Sequence, residues 1–194
     1  MLNNPLIQLE QWLKEEKLNG NIFPQGAVLS TVTKEVAPRS RVVSTMLNEN
    51  KHPKFHTSPI SRKVKDIEFN NKASLTYSFQ STLRSISIEG TLSPLSDFEL
   101  EQDWLKYDDD FREHYVVFGE NSGENIPTLD LLREKRDQLT TEIELVRPNS
   151  FIGYKFSNID RISFYSVVKG DFAKSTLYKK DSKNQDWLRS IVVP

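Results

Sequence analysis

Two segments of the chain alternate hydrophobic and polar positions with a period of two. In residues 73–79, Ala73, Leu75, Tyr77 and Phe79 fall on one side and Ser74, Thr76 and Ser78 on the other. In residues 84–92, Ile86 and Ile88 stand opposite Ser85, Ser87 and Glu89. Successive side chains of a strand point to opposite faces, so both segments predict strands with one buried face. Three earlier runs also read as strands: 27–33, 41–47 with its β-branched residues, and the short 54–57. Polar turns at 34–40 and 48–53 separate them. Strands joined mostly by short polar turns predict an antiparallel sheet or a closed barrel.

Helical spacing appears elsewhere. Leu6, Leu9 and Leu13 predict a helix over 4–18, with Asn19-Gly20 as its stop. Residues 62–70 read as a helix with Val64 and Ile67 inward, ended by Asn70-Asn71. Ser96 and Glu99 have capping-box spacing and open a helix through about Tyr107, which Asp108-Asp109-Asp110 interrupts. Residues 119–128 form a Gly/Asn/Ser/Pro loop. Leu129, Leu132, Arg136, Leu139, Ile143 and Val146 mark one stripe of a long helix, read as core or dimer packing. Strands at 151–156, 161–167, 176–179 and 187–192 close the chain. The expected fold is mainly β with helices, an antiparallel barrel whose strands are split by a helical insert at 96–146.

Composition narrows the function classes. A chain of 194 residues fits one domain with terminal additions. With 37% hydrophobic and 27% charged residues it is an ordinary globular composition, and a net charge of −1 argues against a strongly basic nucleic-acid binder. No cysteine is present, which excludes disulfides, zinc–thiolate sites and thiol catalysis. The first residues carry Glu10, Glu15 and Glu16 and no basic run, unlike a signal peptide, and no apolar stretch is long enough for a membrane span. The cytoplasm is the expected location.

The best local chemistry is a set of cations and hydroxyls at strand ends. Arg41 opens a strand, Thr57 ends another, and Ser58, Ser61, Arg62 and Lys63 lie in the following loop and first helical turn. A helix N-terminus offers unpaired N–H groups, so these residues could cradle a phosphate. Taken alone, a solvated helix start is the simpler reading of Ser-Arg-Lys. His52, His56 and His114 have no metal-ligand spacing, and each reads as a surface or partly buried residue, with strand alternation turning His56 outward. The aspartate triplet lacks the rest of a calcium loop and reads as a solvated helix break. No motif assigns a catalytic residue.

The order of short patterns carries more than any one of them. Ala27-Val28-Leu29-Ser30-Thr31-Val32 is followed by Pro38-Arg39-Ser40-Arg41-Val42-Val43. Next come Phe55-His56-Thr57 through Ser61-Arg62-Lys63, Asn70-Asn71-Lys72-Ala73-Ser74-Leu75, and Arg84-Ser85-Ile86-Ser87-Ile88-Glu89-Gly90. Ser150-Phe151-Ile152-Gly153-Tyr154-Lys155-Phe156 and a closing Trp187…Arg189…Pro194 complete the series. In this order and spacing the chain resembles the pyridoxamine 5'-phosphate oxidase family of FMN-binding split barrels, from about Asn4 to Pro194. The resemblance implies one split-barrel domain over 1–194, with residues 27–95 as its FMN-binding half and 150–194 as C-terminal strands and dimerisation region. It implies a homodimer with FMN at the interface. Carried over, the cofactor residues are Arg41, Val42, Val43, Ser44, His56, Thr57, Arg62 and Lys63. The partner subunit would add Ser85, Asn121, Ser122 and Tyr165, and Lys174 stands beside the place of a further cofactor arginine.

The substrate side departs from the pattern. The lysine that closes the second strand's pattern is Met46 here, the Arg-x-His positions are Asp171 and Ala173, and a later arginine falls on Ser175. The Tyr-x-x-x-Arg-x-x-x-Ser set that grips a substrate phosphate aligns near Asp103, Tyr107 and Phe111, with Arg112 and Tyr115 in another register. A dianion needs paired cations, and Asp171 would repel it. The expected function is an FMN-dependent oxidoreductase acting on a small molecule other than pyridoxamine phosphate. The alternatives are a true pyridoxamine/pyridoxine 5'-phosphate oxidase with relocated phosphate ligands, and a non-catalytic flavin-binding or flavin-free split barrel.

Overall fold

The computed structural model describes residues 4–139 and 145–194. Eight strands form one antiparallel sheet: β1 Gly26–Val32, β2 Pro38–Leu47, β3 Pro53–Thr57, β4 Lys72–Phe79, β5 Arg84–Pro94, β6 Ile152–Ser166, β7 Lys174–Lys180 and β8 Trp187–Val192. Their order is β3-β2-β1-β4-β5-β6-β7-β8, and β3 pairs again with β6. That second pairing closes β1 to β6 into a six-stranded barrel and leaves β7 and β8 as an extension. Closure abolishes the free edges that an open sheet would expose.

The two longest strands make closure possible. The first residues of β6, Ile152 to Lys155, pair with β3, whereas Arg161 to Ser166 pair with β7. Between them the β5–β6 register shifts at Glu89/Gly90 and Thr91/Leu92. Such bulges bend a strand and tighten its twist. Gly90 sits at the first shift because a Cβ there would lie 2.1 Å from the Asn158 carbonyl oxygen. The two strands expected at 151–156 and 161–167 are therefore one bent strand.

Inward alternation fills the barrel. Leu29, Leu75, Tyr77, Ile86, Ile88, Phe156 and Ile162 are all fully buried. The Tyr77 hydroxyl finds Thr45 Oγ1 at 2.9 Å, which satisfies a polar atom inside an apolar core. Helix α1, Pro5–Leu18, starts with Asn4 capping Leu6 N–H and packs Trp12 edge-on against Phe79 and Phe164. Helix α2, Arg62–Phe69, follows β3 and buries Val64, Asp66 and Ile67.

The insert holds α3 Asp97–Trp104, α4 Asp109–Phe118, a 3-10 turn Gly119–Asn121 and α5 Asp130–Asp137. Leu95, Leu100, Trp104, Tyr115 and Phe151 form a second, smaller core that ties α3 and α4 to the start of β6. No helix among the described residues is long and apolar enough to cross a membrane.

Several expectations are corrected here. Residues 38–40 belong to β2 rather than to a turn, because Pro38, Arg39 and Ser40 pair with Val32, Thr31 and Ser30. The aspartate triplet starts a helix: Asp108 caps α4 by accepting the Phe111 N–H. The long helix over 129–146 is not formed as one element. Helix α5 ends at Asp137, Ile143 lies outside the described residues, and Leu145 and Val146 are not helical. The Trp104 indole N–H donates to the Leu145 carbonyl oxygen at 2.7 Å, so that carbonyl is bonded by a side chain of α3. None of the residues of α5 is buried, so its stripe is not core packing within one chain.

Candidate functional site

Strand alternation sorts β2 into two faces. Arg39, Arg41, Val43 and Thr45 point one way, and Ser40, Val42, Ser44 and Met46 the other. Val43 and Thr45 lie inside the barrel. Continuing that face past the apolar core brings Arg41 and then Arg39 to the barrel mouth, where α2 packs. The α2 carboxylate Asp66, 3% exposed, meets both: Arg39 donates to Asp66 Oδ1 at 3.0 Å and Arg41 to Oδ2 at 3.3 Å. Arg41 also donates to Thr31 Oγ1 at 2.6 Å and to the Leu29 carbonyl oxygen at 3.4 Å. Thr31 in turn donates to Asp66 at 2.8 Å.

The first turn of α2 supplies the rest. Lys63 Nζ donates to Thr57 Oγ1 at 2.9 Å and Ser61 Oγ at 2.6 Å. Ser61 is the N-cap residue, yet its side chain makes no capping bond. A cleft of about 480 Å³ runs between these elements, lined by Arg39, Arg41, Arg62, Lys63, Ser61 and Ser122 among others. Among the described residues Lys63 has only hydroxyl partners and no carboxylate. Burial, then the nearby Arg41 charge, lowers the Lys63 pKa; burial also lowers that of Arg41, against the pull of Asp66. A half-buried lysine with no counter-charge is short of an anion, and in the loop before α2 the Ser58 hydroxyl is buried with no partner among the described residues. These residues fit a phosphate group.

Of the residues expected at the cofactor, Arg41, Arg62, Lys63 and Ser122 line the cleft, and Thr57 adjoins it through Lys63. Val43 lies in the barrel core, while Val42 and Ser44 lie on the outer face of β2. Asn121, next to Ser122, turns its amide to Glu124 at 2.9 Å. Ser85 pairs across strands with Tyr165, Tyr165 with Ser175, and Lys174 with Ser166, so this second group gathers on β5, β6 and β7. It shares no lining residue with the cleft. Sequence reasoning missed Arg39 and Asp66 as cleft partners. The strand period was the available signal for Arg39, two residues before Arg41.

His56 is the clearest correction. Its side chain is 3% exposed rather than turned to the surface. It lies flat on Phe151 at 4.5 Å, with Nε2 3.1 Å from Asp103 and Nδ1 2.9 Å from the Tyr107 hydroxyl. The outward face of β3 is covered by α3, which is why outward does not mean exposed. Lys54, on the same face and opposite Met46, is also buried and reaches Asp103 at 2.6 Å; Lys106 joins at 3.1 Å. Burial works to raise the Asp103 carboxyl, but hydrogen bonds from His56, Lys54 and Lys106 outweigh it and hold it well below the usual carboxylate range. Tyr107 is pushed up by burial and by Asp103. This network was not legible in the sequence.

Known proteins agree with this picture. A pyridoxine/pyridoxamine 5'-phosphate oxidase of Leptospira biflexa is 29% identical over 195 residues, covering 98% of this chain and 89% of that protein. One of Psychromonas ingrahamii is 34% identical over 94 residues, 48% of this chain and 43% of that one. In fold, the chain is similar to PhzG from Burkholderia lata, solved with tetrahydrophenazine-1-carboxylic acid, with a TM-score of 0.88 at 21% identity over 100% of this chain and 94% of that one. A pyridoxamine 5'-phosphate oxidase-related, FMN-binding protein of Nostoc punctiforme gives a TM-score of 0.81 at 15% identity, with each chain fully covered. The family model described as pyridoxamine 5'-phosphate oxidase matches residues 23–140, and the chain belongs to that family.

Proposed function

We propose that this protein is an FMN-dependent oxidoreductase whose substrate carries no phosphate. The observation that carries the FMN reading is the Lys63 site: a half-buried cation held only by hydroxyls, beside Arg41 and Arg62 in one cleft. Arg62, Lys63 and Arg41 would hold the cofactor phosphate, and Thr57 and Ser61 would orient the Lys63 ammonium. Bound there, the isoalloxazine supplies the redox chemistry, while the protein supplies placement and electrostatics.

The substrate reading rests on Asp103. It stands where the family pattern grips a phosphate, and its carboxylate is fully buried among Lys54, His56 and Lys106. Lys54, the cross-strand partner of Met46, could replace the missing lysine, but its ammonium is committed to Asp103. A phosphate dianion would meet an anion there, and among the described residues the lysines beside it, Lys54 and Lys106, are already bonded to that anion. Asp171, Ala173 and Ser175 add none on the other side. A carboxylate-bearing ring, such as the ligand solved with the Burkholderia protein, asks for fewer cations. The competing reading, a true pyridoxamine phosphate oxidase, is favoured by the Leptospira relative, which matches nearly the whole chain.

A homodimer belongs to the proposal. Ser85, Tyr165 and Lys174 lie away from the cleft in one chain, and a second copy would bring its own set to it. The outer face of β1 and β2 leaves Val28 and Val42 exposed beside Ile22 and Phe23, an apolar surface a second copy would cover. Purified protein is expected to be yellow and dimeric by light scattering. FMN-loaded protein is expected to oxidise pyridoxamine phosphate with kcat/KM well below about 10⁴ M⁻¹s⁻¹, and a value at or above that level overturns the substrate reading.

A further inference from the structure

Arg39 occupies a position that the family pattern leaves open, between Pro38 and Arg41. We infer that Arg39 is a fourth phosphate-binding cation of the cleft, and that Asp66 is the residue that positions it. The inference rests on the FMN-phosphate reading above and extends it to a residue that reading did not use.

Three observations carry it. Arg39 lines the same cleft as Arg41, Arg62 and Lys63. Its guanidinium is fixed rather than free in solvent, because one nitrogen meets the buried Asp66 carboxylate at 3.0 Å. Third, Arg39 has more donor capacity to spare than Arg41. Arg41 is 22% exposed and already serves Leu29, Thr31 and Asp66, whereas Arg39 is 43% exposed and, among the described residues, serves Asp66 alone. A guanidinium is a planar fork, and tethering one branch aims the other.

Charge supports the same assignment. Asp66 is one carboxylate shared by two arginines, so their pairing leaves a positive charge over. With Arg62 and Lys63 the cleft lining has four cations, against Asp66 and the exposed Glu35, which lies within charge range of Arg39. A phosphomonoester, at about −1.5 to −2 near neutral pH, offsets much of that excess. Asp66 thus holds both arginines in place before any phosphate arrives, and the ordering is done in advance.

The test titrates apo-protein with FMN and with riboflavin, following flavin fluorescence. Arg39→Ala is expected to weaken FMN about tenfold and to leave riboflavin, which has no phosphate, within about twofold. The salt dependence of FMN binding should become shallower. In an Asp66→Asn background, Arg39→Ala should cost less than about threefold, because the arginine is no longer aimed. If Arg39→Ala proves unfolded by thermal melting, Arg39→Lys replaces it, with an expected loss of about threefold for FMN alone. Arg62→Ala/Lys63→Ala is the control. If the control loses FMN and the Arg39 variants do not, Arg39 merely neutralises Asp66, and this inference falls while the FMN reading stands. Equal loss of FMN and riboflavin also overturns it. If the control too keeps FMN, or the parent binds none, the cradle itself is wrong. An Arg39→Ala effect unchanged in the Asp66→Asn background removes Asp66 from the assignment.

Discussion

The barrel mouth and the outer face of β3 use the same device, but they commit their strand cations to different degrees. In each, a helix brings one buried carboxylate to cations on the strands. At the mouth, Asp66 of α2 meets Arg39 and Arg41. On the outer face, Asp103 of α3 meets Lys54 and His56, with Lys106 from beyond its own helix. Asp66 satisfies part of each arginine and leaves forked donors facing a cleft. Asp103 is fully buried, and so nearly are Lys54 and His56, both bonded to it, while Lys106 reaches solvent at a second cleft. A buried ion pair can therefore prepare a binding site or close one. The outcome depends on whether the cations keep unpaired donors at the surface.

The comparison breaks first under truncation. Asp103→Ala leaves Lys54 buried without its counter-charge, and a loss of about 3–5 kcal/mol in urea unfolding is expected. Asp66→Ala should cost less, about 1–3 kcal/mol, because Arg39 and Arg41 reach solvent and can be rehydrated. If the two losses came out equal, or in reverse order, the burial of the strand cations would not set the cost as described.

Acid sharpens the same contrast. Asp103 has its folded pKa depressed, by bonds from His56, Lys54 and Lys106 that outweigh burial. Its contribution to stability is present above the unfolded carboxyl's value of about 3.9 and is lost as pH falls below that. Asp103→Asn should flatten this part of the acid limb. Unchanged steepness below about pH 4 would remove Asp103 as its source. The smallest expected effect lies in the core between the two regions. Tyr77→Phe deletes the bond to Thr45 and should cost about 1 kcal/mol, with FMN affinity untouched.

Several features were legible from the residues alone. Alternation at 73–79 and 84–92 marks β4 and β5 because a half-buried strand writes its two faces into neighbouring positions. The capping box of Ser96 and Glu99, and the helix after Thr57, are local too, since each depends on contacts a few residues apart. The ordered patterns from Ala27 to Gly90 singled out Arg41, Arg62 and Lys63, which the fold brings to one cleft; Ser122, expected from the partner subunit, lines the cleft of its own chain. The stripe from Leu129 to Val146 misled on the extent of the helix, which ends at Asp137, because helical spacing does not show where a helix stops.

What the sequence determined is thus the local part: strand faces, helix starts and the run of cations around Ser61-Arg62-Lys63. Only the tertiary structure decided which carboxylate each cation meets. Asp66 lies 27 residues from Arg39 along the chain and Asp103 lies 47 from His56, and no periodicity links such positions. Barrel closure through the β3–β6 pairing, with the bulge at Gly90, brings the start of β6 beside β3. The small core that binds α3 and α4 to Phe151 then sets the insert over the outer face of β3. Burial and charge pairing are properties of that assembled surface, which is why the sequence left His56 as a surface or partly buried residue while its ring proved to be enclosed.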